Sequence, residues 1–417
     1  MIKKVNLKNG ITVLLERTAE IGSFAFACFF NVGSVDENDD NNGISHLIEH
    51  MFFKGTKKRT YKDIADDVDK IGGSINAFTS KELTCYYIKT LKDEAENAIE
   101  IISDIVSNSI ILKKELNKEK KVILEEMKMT EDYPDELAHE KLSEFLFNGT
   151  AYEKPIIGYR KTIQNQTREK ILAYIKKFYT AENLLITCFG NFNEKKIINS
   201  LEKYFSKMKG KRKPENYPTL NYKSKIKVIN KDIKQSHIAL GIPTFSIFDK
   251  RRFAMSIYTE ILGGSMSSRL FQNLREKKGL CYSVGSMTAG NKCTGSLIIY
   301  AGVSDDNIER SILAIKEELH SLANEGITDK EFEKAKTSLI SSFVFSRENL
   351  QTRMFQAGKN FLNFGKVEKE ETILRKIKVV KKEEVEKIAR DYADTNKYSL
   401  SIVSARKIKN SDIKKCL

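Results

Sequence analysis

The sequence feature that most constrains the fold is a pattern near the end of the first half that returns near the end of the second. In each copy a helical stretch runs into a strand, and four apolar or polar positions recur at a constant offset of 213 residues. The paired positions are Leu172 and Val385, Ile175 and Ile388, Tyr179 and Tyr392, and Asn183 and Asn396. An internal duplication explains this pattern. The length of 417 residues also exceeds what one ordinary core supports.

A segment near the middle of the chain divides the two copies. Residues 207–225, KMKGKRKPENYPTLNYKSK, contain two of the five prolines, dense charge and little apolar periodicity, which are typical of a linker. The sequence therefore predicts a first half over 1–206 and a homologous second half over 226–417.

Apolar periodicity predicts a mixture of strands and helices in both halves. In the first half the predicted strands are 2–16, 23–32 and 83–90, and the predicted helices are 43–54, 92–108 and 114–130. In the second half the predicted strands are 236–242, 281–289 and 294–302, and the predicted helices are 249–262, 265–277, 306–324 and 329–347. This mixture favours an α+β fold in which each half is a mostly antiparallel sheet with helices packed on one face.

Charge and composition exclude several classes of function. The net charge is +15, but Asp and Glu are interspersed with the basic residues, and only KGKRKP at 209–214 is a concentrated run. A solvated linker explains that run, so we expect no nucleic-acid binding, which salt-dependent binding to DNA or RNA would reveal. No stretch of about 18 apolar residues occurs, which predicts no membrane span.

The N-terminal residues and the cysteines bear on the compartment. MIKKVNLKNGITVLLE alternates into a strand and lacks the apolar core of a secretory signal, so we expect a cytoplasmic protein. The six cysteines, at 28, 85, 188, 281, 293 and 416, are widely scattered without a CxxC pair. Free thiols are therefore expected, most of them buried.

The strongest chemical signal is the H-x-x-E-H motif in GISHLIEHMFFKGT at 43–56, which reads as a short helix. His46 and His50 stand one helical turn apart on one face, the separation that two imidazoles need to bind one tetrahedral Zn²⁺. Glu49 shares that face, close enough to accept a proton from an attacking water. Since the chain has only five histidines, chance is a poor explanation of this spacing.

Catalytic zinc needs a third protein ligand, and helix 114–130 offers candidates. Glu119, Val122, Ile123 and Glu126 fall at helical spacing on the stripe predicted to face the core. Buried carboxylates need a partner, which a cation would supply. The spacing equally allows both carboxylates to lie at the edge of the stripe, as on most charged helices.

At these residues the chain resembles the inverzincin metallopeptidases of the pitrilysin and insulinase family, particularly the two-half, processing-peptidase-like members. The family pattern is H-x-x-E-H followed by a ligand glutamate about 75 residues later, and Glu126 lies 76 residues after His50. The resemblance extends over GSVDENDDNNGISHLIEHMFFKGT, GGSINAFTSKELTCYY and ILGGSMSSRLFQNLREKKGLCYSV. It implies that His46, His50 and Glu126 bind Zn²⁺, that Glu49 activates water, and that Glu119 orients a ligand.

The resemblance also implies how a substrate is held. It suggests that peptides dock as an added strand on Asn76, Ala77 and Phe78, and that Arg275 and Tyr282 of the second half reach the substrate at the metal. From the residues alone the Gly72–Gly73 region reads as a hairpin turn, and the Arg–Tyr pair as a surface arginine with a core tyrosine. The other histidines, His139, His237 and His320, match no ligand pattern and are interpreted as structural.

The function expected from this resemblance is that of a zinc-dependent endopeptidase acting on extended or unfolded peptides in a cleft between the two halves. The alternative is a non-catalytic or partner subunit of a heteromeric complex, because some members of the family only form scaffolds. This chain has both the metal motif and the Arg–Tyr pair. We therefore expect an active enzyme that works as a homodimer, with a heteromeric partner left open.

Overall fold

The computed structural model describes residues 2–211 and 222–417, so residues 212–221 of the predicted linker lie outside the described residues. The chain forms two compact units that interleave along the sequence. Unit 1 comprises Met1–Met127, Lys154–Glu215 and Phe345–Val367, and unit 2 comprises Lys128–Glu153, Asn216–Val344 and Glu368–Leu417. Each unit thus contains one segment from the opposite half of the sequence. The boundaries predicted at 206 and 226 stay a prediction about the duplicated halves.

Unit 1 is built on a six-stranded sheet. Its strands are β1 (Lys3–Asn6), β2 (Thr12–Arg17), β3 (Ser23–Phe30), β4 (Ser74–Thr79), β5 (Thr84–Leu91) and β6 (Leu184–Gly190). Their order across the sheet is β1-β2-β6-β3-β5-β4. Neighbours are antiparallel except β2 and β6, which run parallel. The single strand predicted over 2–16 was wrong, because a turn closed by a hydrogen bond from Gly10 N–H to the Leu7 carbonyl divides it.

Unit 2 repeats this arrangement with five strands. They are β7 (Ile226–Asn230), β8 (Ser236–Thr244), β9 (Cys281–Gly290), β10 (Gly295–Val303) and β11 (Ser399–Ser404). Their order is β7-β11-β8-β10-β9, with one parallel pair, β7 and β11, at the corresponding place. In both sheets the strand at one edge, β4 or β9, belongs to an antiparallel hairpin. The predicted α+β fold of two sheet-and-helix halves is confirmed.

Fifteen α-helices accompany the sheets in the described part of the chain. They are α1 (Ile44–Phe52), α2 (Tyr61–Lys70), α3 (Ala95–Asn108), α4 (Lys113–Asp132), α5 (Pro134–Leu146), α6 (Arg160–Gln164), α7 (Arg168–Phe178), α8 (Glu194–Phe205), α9 (Arg252–Thr259), α10 (Ile308–Asn324), α11 (Asp329–Ser346), α12 (Leu350–Phe364), α13 (Glu370–Lys378), α14 (Lys382–Asp391) and α15 (Asn410–Lys415). None of the helices among the described residues has the length and apolar content needed to cross a bilayer. The helices predicted at 249–262 and 265–277 contain wider π-type turns at Glu260–Gly264 and Phe271–Lys277.

Both faces of the first sheet are covered, as the uninterrupted apolar run of β3 requires. Phe24, Phe26 and Phe30 belong to the core that includes α1 and α3. The alternate side chains of β3, Ala25, Ala27 and Phe29, belong to a second core on the opposite face, formed with α12. In unit 2, α5 likewise packs on β8 and β11. Each sheet therefore gains one helix from the other half of the sequence.

The core between α12 and the first sheet is apolar with one ion pair at its edge. Leu350, Met354 and Ala357 of α12 are buried against the sheet. Arg353 places its guanidinium 3.2 Å from the carboxylate of Glu16, whose side chain is only 9% exposed. Fixing α12 in this place thus satisfies a buried charge as well as an apolar face.

In unit 2, Arg269, which precedes the π-type turn Phe271–Lys277, joins its own segment to the start of α11. The Arg269 guanidinium donates to both carboxylate oxygens of Glu331, at 2.7 and 3.0 Å, and to the carbonyl of Gly326 at 2.9 Å. The backbone N–H of Thr328 also donates to Glu331. Burial raises the pKa of Glu331, but these hydrogen bonds outweigh it and bring the pKa down to about 2.

The six cysteines are free, as expected; five are buried and Cys293 is half-buried.

Met354→Ala should destabilise unit 1, because the truncation leaves a cavity between α12 and the sheet. We expect a loss of about 2–5 kcal/mol in the free energy of unfolding, measured by urea denaturation. Lys366→Ala, at an exposed position of the same segment, is the control and should change stability by less than about 0.5 kcal/mol. Equal stability of the two variants would show that α12 does not belong to this core.

Glu331→Gln should remove a pH-dependent contribution to stability. Because the carboxyl pKa is lowered from 4.5 to about 2, its contribution is complete above pH about 4.5 and is lost as the pH falls towards 2. Allowing for partial exposure, we expect a cost of about 1–2 kcal/mol at pH 7 that shrinks at pH 3. Urea denaturation at both pH values, with the exposed Glu383→Gln as control, measures this. A cost independent of pH would contradict the assignment.

Candidate active site

A buried glutamate in the acidic loop before α1 binds the first residues of that helix. The Glu37 carboxylate accepts hydrogen bonds from the backbone N–H groups of Gly43 at 2.7 Å and Ser45 at 2.9 Å, and from the Asn42 amide at 2.9 Å. The two backbone groups are among the N–H groups that a helix start leaves without partners. Burial raises the pKa of Glu37 to about 7, against the opposing effect of these hydrogen bonds. Gly43 itself has φ of +88°, and a Cβ on it would lie 2.8 Å from the Gly158 Cα, so only glycine fits.

Three predicted metal ligands converge beside α1. The rings of His46 and His50 have centroids 4.7 Å apart, and the Nε2 of His50 is 3.7 Å from a carboxylate oxygen of Glu126 on α4. One ligand atom from each of the three residues lies within 4.8 Å of the others. One ion could therefore contact all three side chains.

The stripe predicted on α4 is only partly correct. Glu119 and Ile123 are buried, whereas Val122 is 43% exposed. The core side of α4 is narrower than the spacing suggested, because the helix has few apolar residues. Glu126 is half-buried at the edge of that side, where its carboxylate reaches the histidines.

Protonation of the site suits metal binding. Burial, together with the neighbouring His50, lowers the pKa of His46 to about 4, so its imidazole is neutral at pH 7 and free to bind a cation. Its buried Nδ1 has no hydrogen-bond partner among the described residues. Burial also raises the pKa of Glu49, against the opposing effect of a hydrogen bond from the Thr79 hydroxyl at 2.5 Å.

A second carboxylate supports the histidine on α1. Glu119 places one oxygen 3.2 Å from the Nδ1 of His50 and the other 2.9 Å from the ammonium of Lys54. A carboxylate at the second nitrogen of a metal-binding histidine fixes the ring and its tautomer. Glu119 therefore lies where the resemblance places a residue that orients a ligand.

The donor set and the charge both fit zinc. Two imidazoles and one carboxylate are a common set of ligands for catalytic zinc, with one position left for water. Three carboxylates, those of Glu49, Glu119 and Glu126, lie near the two histidines. A divalent cation would be attracted by this concentration of negative charge.

The strand expected to bind substrate lies at an edge of the first sheet. β4 is the last strand in the order, and among the strands that the structure describes it is hydrogen-bonded to β5 alone. The side-chain oxygen of Asn76 accepts a hydrogen bond from the Ala77 N–H at 2.8 Å, and Phe78 packs on Tyr87 and Phe355. Thr79 at the end of the strand is the residue that donates to Glu49, so the edge strand is tied directly to the H-x-x-E-H helix.

Arg275 and Tyr282 lie in unit 2, and the structure brings these two together. The Arg275 guanidinium is 5.6 Å from the centre of the Tyr282 ring, and Tyr282, at the start of β9, is 76% exposed. The expected core tyrosine is thus a surface residue with an accessible hydroxyl.

The remaining histidines also lie in unit 2. His139 stacks on Tyr300 at 5.3 Å and His237 is hydrogen-bonded to the same tyrosine at 2.7 Å, while His320 contacts the Ala393 carbonyl at 3.1 Å.

The sequence did not reveal the contacts that three residues make at the site: those of Glu37, of Lys54, and of Thr79 with Glu49. Glu37 had a signal, because an acidic loop precedes a predicted helix start, where negative charge is stabilising. Lys54 follows His50 by one helical turn, a spacing shared by many surface lysines. For Thr79 the sequence carries no local signal.

Comparison with known proteins identifies the relatives of this chain. The sequence model of the family described as insulinase, peptidase family M16, matches residues 12–160. The family model described as peptidase M16 inactive domain matches residues 165–339. An uncharacterized zinc protease of Bacillus subtilis (strain 168) is 35% identical over 97% of this chain and 98% of its own length. One of Streptomyces coelicolor is 32% identical, covering 98% of this chain and 91% of the relative.

Solved structures share the fold. A protease from Helicobacter pylori has a TM-score of 0.88 at 22% identity, over 97% of this chain and 99% of its own. A chain of complex III2 from Candida albicans has a TM-score of 0.86 at 18% identity, over 100% of this chain and 99% of its own. The sequence relatives, which match almost end to end, show that the chain belongs to the pitrilysin and insulinase family, peptidase family M16.

Proposed function

We propose that this protein is a zinc-dependent endopeptidase that cleaves extended or unfolded peptides. The observation that carries the proposal is the convergence of His46, His50 and Glu126 around one position. Glu49 lies on α1 between the two histidines. The relatives named zinc proteases support the metal and the class of reaction.

In this proposal His46, His50 and Glu126 hold Zn²⁺, and Glu49 is the general base. The chemistry that zinc supplies when bound is Lewis acidity towards the scissile carbonyl and the attacking water. Glu49 accepts the proton of that water and passes it to the leaving amine. Its raised pKa favours this double role, because a group that both accepts and returns a proton works best near the working pH.

We propose that the substrate adds to the sheet along β4. An edge strand has free backbone groups that pair with an extended peptide, and this mode of binding depends little on side-chain identity. Asn76, Ala77 and Phe78 would contact the peptide, and Thr79 ends the strand at the general base. Selectivity should therefore be loose.

Arg275 and Tyr282 are proposed to act on the bound peptide. The exposed Tyr282 hydroxyl is a donor suited to the oxyanion that forms at the attacked carbonyl. Arg275, a planar cation beside that ring, is suited to grip a substrate carbonyl oxygen. One chain carries both this pair and the metal ligands, so it needs no second kind of subunit to complete the site. We therefore propose a homodimer rather than a heteromeric complex. The six free thiols favour a reducing, cytoplasmic compartment.

Paired variants should separate metal binding from catalysis. Glu49→Gln keeps the shape of the side chain but loses the basic oxygen, so we expect one zinc per chain and hydrolysis of an unstructured peptide reduced by at least about 10²-fold. His50→Ala should lose both zinc and activity, because only two of the three protein ligands remain. His320→Gln, outside the site, is the control and should keep both. Metal analysis and peptide hydrolysis of the purified variants measure this.

The outcomes also test the alternative function. Stoichiometric zinc in His50→Ala would show that the metal site is elsewhere, and near-normal turnover by Glu49→Gln would exclude Glu49 as the base. A wild-type protein that binds zinc but hydrolyses no peptide would favour a partner subunit of a heteromeric complex.

A further inference from the structure

A chain of contacts leads from Lys54 to the metal centre. The Lys54 ammonium is 2.9 Å from Oε1 of Glu119, and the other oxygen of that carboxylate is 3.2 Å from Nδ1 of His50. The Glu119 side chain is 6% exposed, so these two neighbours rather than water occupy its oxygens. Each oxygen thus has a separate partner.

The local backbone explains how Lys54 reaches this position. α1 ends at Phe52. The N–H of Lys54 donates to the Met51 carbonyl at 3.1 Å, so the backbone forms one further tight turn after the helix. Gly55 follows with φ of +130°, a conformation that other residues rarely adopt, and it redirects the chain directly after Lys54. The side chain of Lys54 is 31% exposed, so its ammonium lies between solvent and Glu119.

We propose that Lys54 is a positioning residue of the metal centre, acting on His50 through Glu119. The inference rests on the proposed zinc site and deepens it. Lys54 holds Oε1 of Glu119. The carboxylate therefore stays in the orientation in which its other oxygen, Oε2, accepts the Nδ1–H of His50. That hydrogen bond selects the tautomer whose Nε2 lone pair is free, and Nε2 is the nitrogen that faces Glu126 at 3.7 Å.

The competing explanation is that Lys54 only balances charge. Three carboxylates meet in this region, and an ammonium anywhere nearby would lower their repulsion. Positioning differs from general charge balance in one respect. An effect transmitted through Glu119 disappears when the Glu119 carboxylate is removed, whereas an effect of charge on the whole site remains. A double-mutant cycle separates the two explanations.

The experiment measures zinc affinity of the full-length protein by competition with a chelator of known affinity. Loss of a residue that directly supports a metal ligand costs about 10–100-fold in affinity, so we expect about three- to tenfold for Lys54→Met, one contact further out. Lys54→Arg, which keeps the cation, should restore most of the affinity. Lys57→Met, which removes an exposed lysine three residues away, should have no effect. In a Glu119→Gln background, Lys54→Met should cause no further loss.

Two outcomes would overturn the inference. One is a zinc affinity of Lys54→Met equal to that of Lys57→Met, and the other is an undiminished loss from Lys54→Met in the Glu119→Gln background. If Lys54→Met fails to fold by circular dichroism, Lys54→Gln takes its place in both backgrounds, with the same expectations. A wild-type protein that binds no zinc would instead contradict the proposed function. If His50→Ala loses zinc as expected but Lys54→Met binds zinc as tightly as the wild type, only this inference is contradicted.

Discussion

The contact on which the site depends is the packing of α1 beneath the first sheet. Leu47, Ile48, Met51 and Phe52 are almost completely buried and face the core, which leaves His46, Glu49 and His50 on the opposite, half-buried side. Since an α-helix places residues four apart on one face, fixing the apolar face also fixes the two imidazoles. Glu37 holds the start of the helix and the turn at Lys54 follows its end. The reactive groups thus belong to a rigid element rather than to a loop, which is the arrangement that precise ligand geometry favours.

The sheet above α1 is stabilised from both sides. Its core strands are apolar along their whole length, and the face away from α1 is covered by α12, which comes from the other half of the sequence. α12 also contacts β4 directly, since Phe355 packs on Phe78. The stability of the edge strand proposed to bind substrate is therefore coupled to a segment far away in sequence. Because each sheet is covered in part by a helix from the other half of the sequence, neither half of the sequence contains all the elements that pack on its sheet.

Much of the site was predictable because its signal is local. The H-x-x-E-H spacing fixes a helix, a shared face and a metal chemistry within five residues. The third ligand was not fixed by helical periodicity, which left Glu119 and Glu126 equivalent, and their different places required the family spacing. The structure separates them by burial: Glu119 lies in the core beside Nδ1 of His50, and Glu126 lies at the edge beside Nε2. Val122 shows the limit of periodicity, because it shares their spacing and is exposed.

The exchanged helices α5 and α12 were not predicted, because their partners are strands distant in sequence. The run SFAFACFF did carry part of the information: a strand apolar on both sides must be covered on both faces, although the run does not say by which helix. The same limit applies to Lys54 and Thr79. Each acts through one contact with a charged side chain from another element, and a single sequence records neither the contact nor its direction.

The most direct test of the central claim is hydrolysis of an unstructured peptide library by the wild-type protein, with zinc content measured in the same samples. The account predicts about one zinc per chain and cleavage of extended peptides. Both should be lost on chelation and regained together when stoichiometric zinc is returned. Cleavage that persists in protein shown to be free of metal would contradict the claim that this site is a zinc peptidase centre.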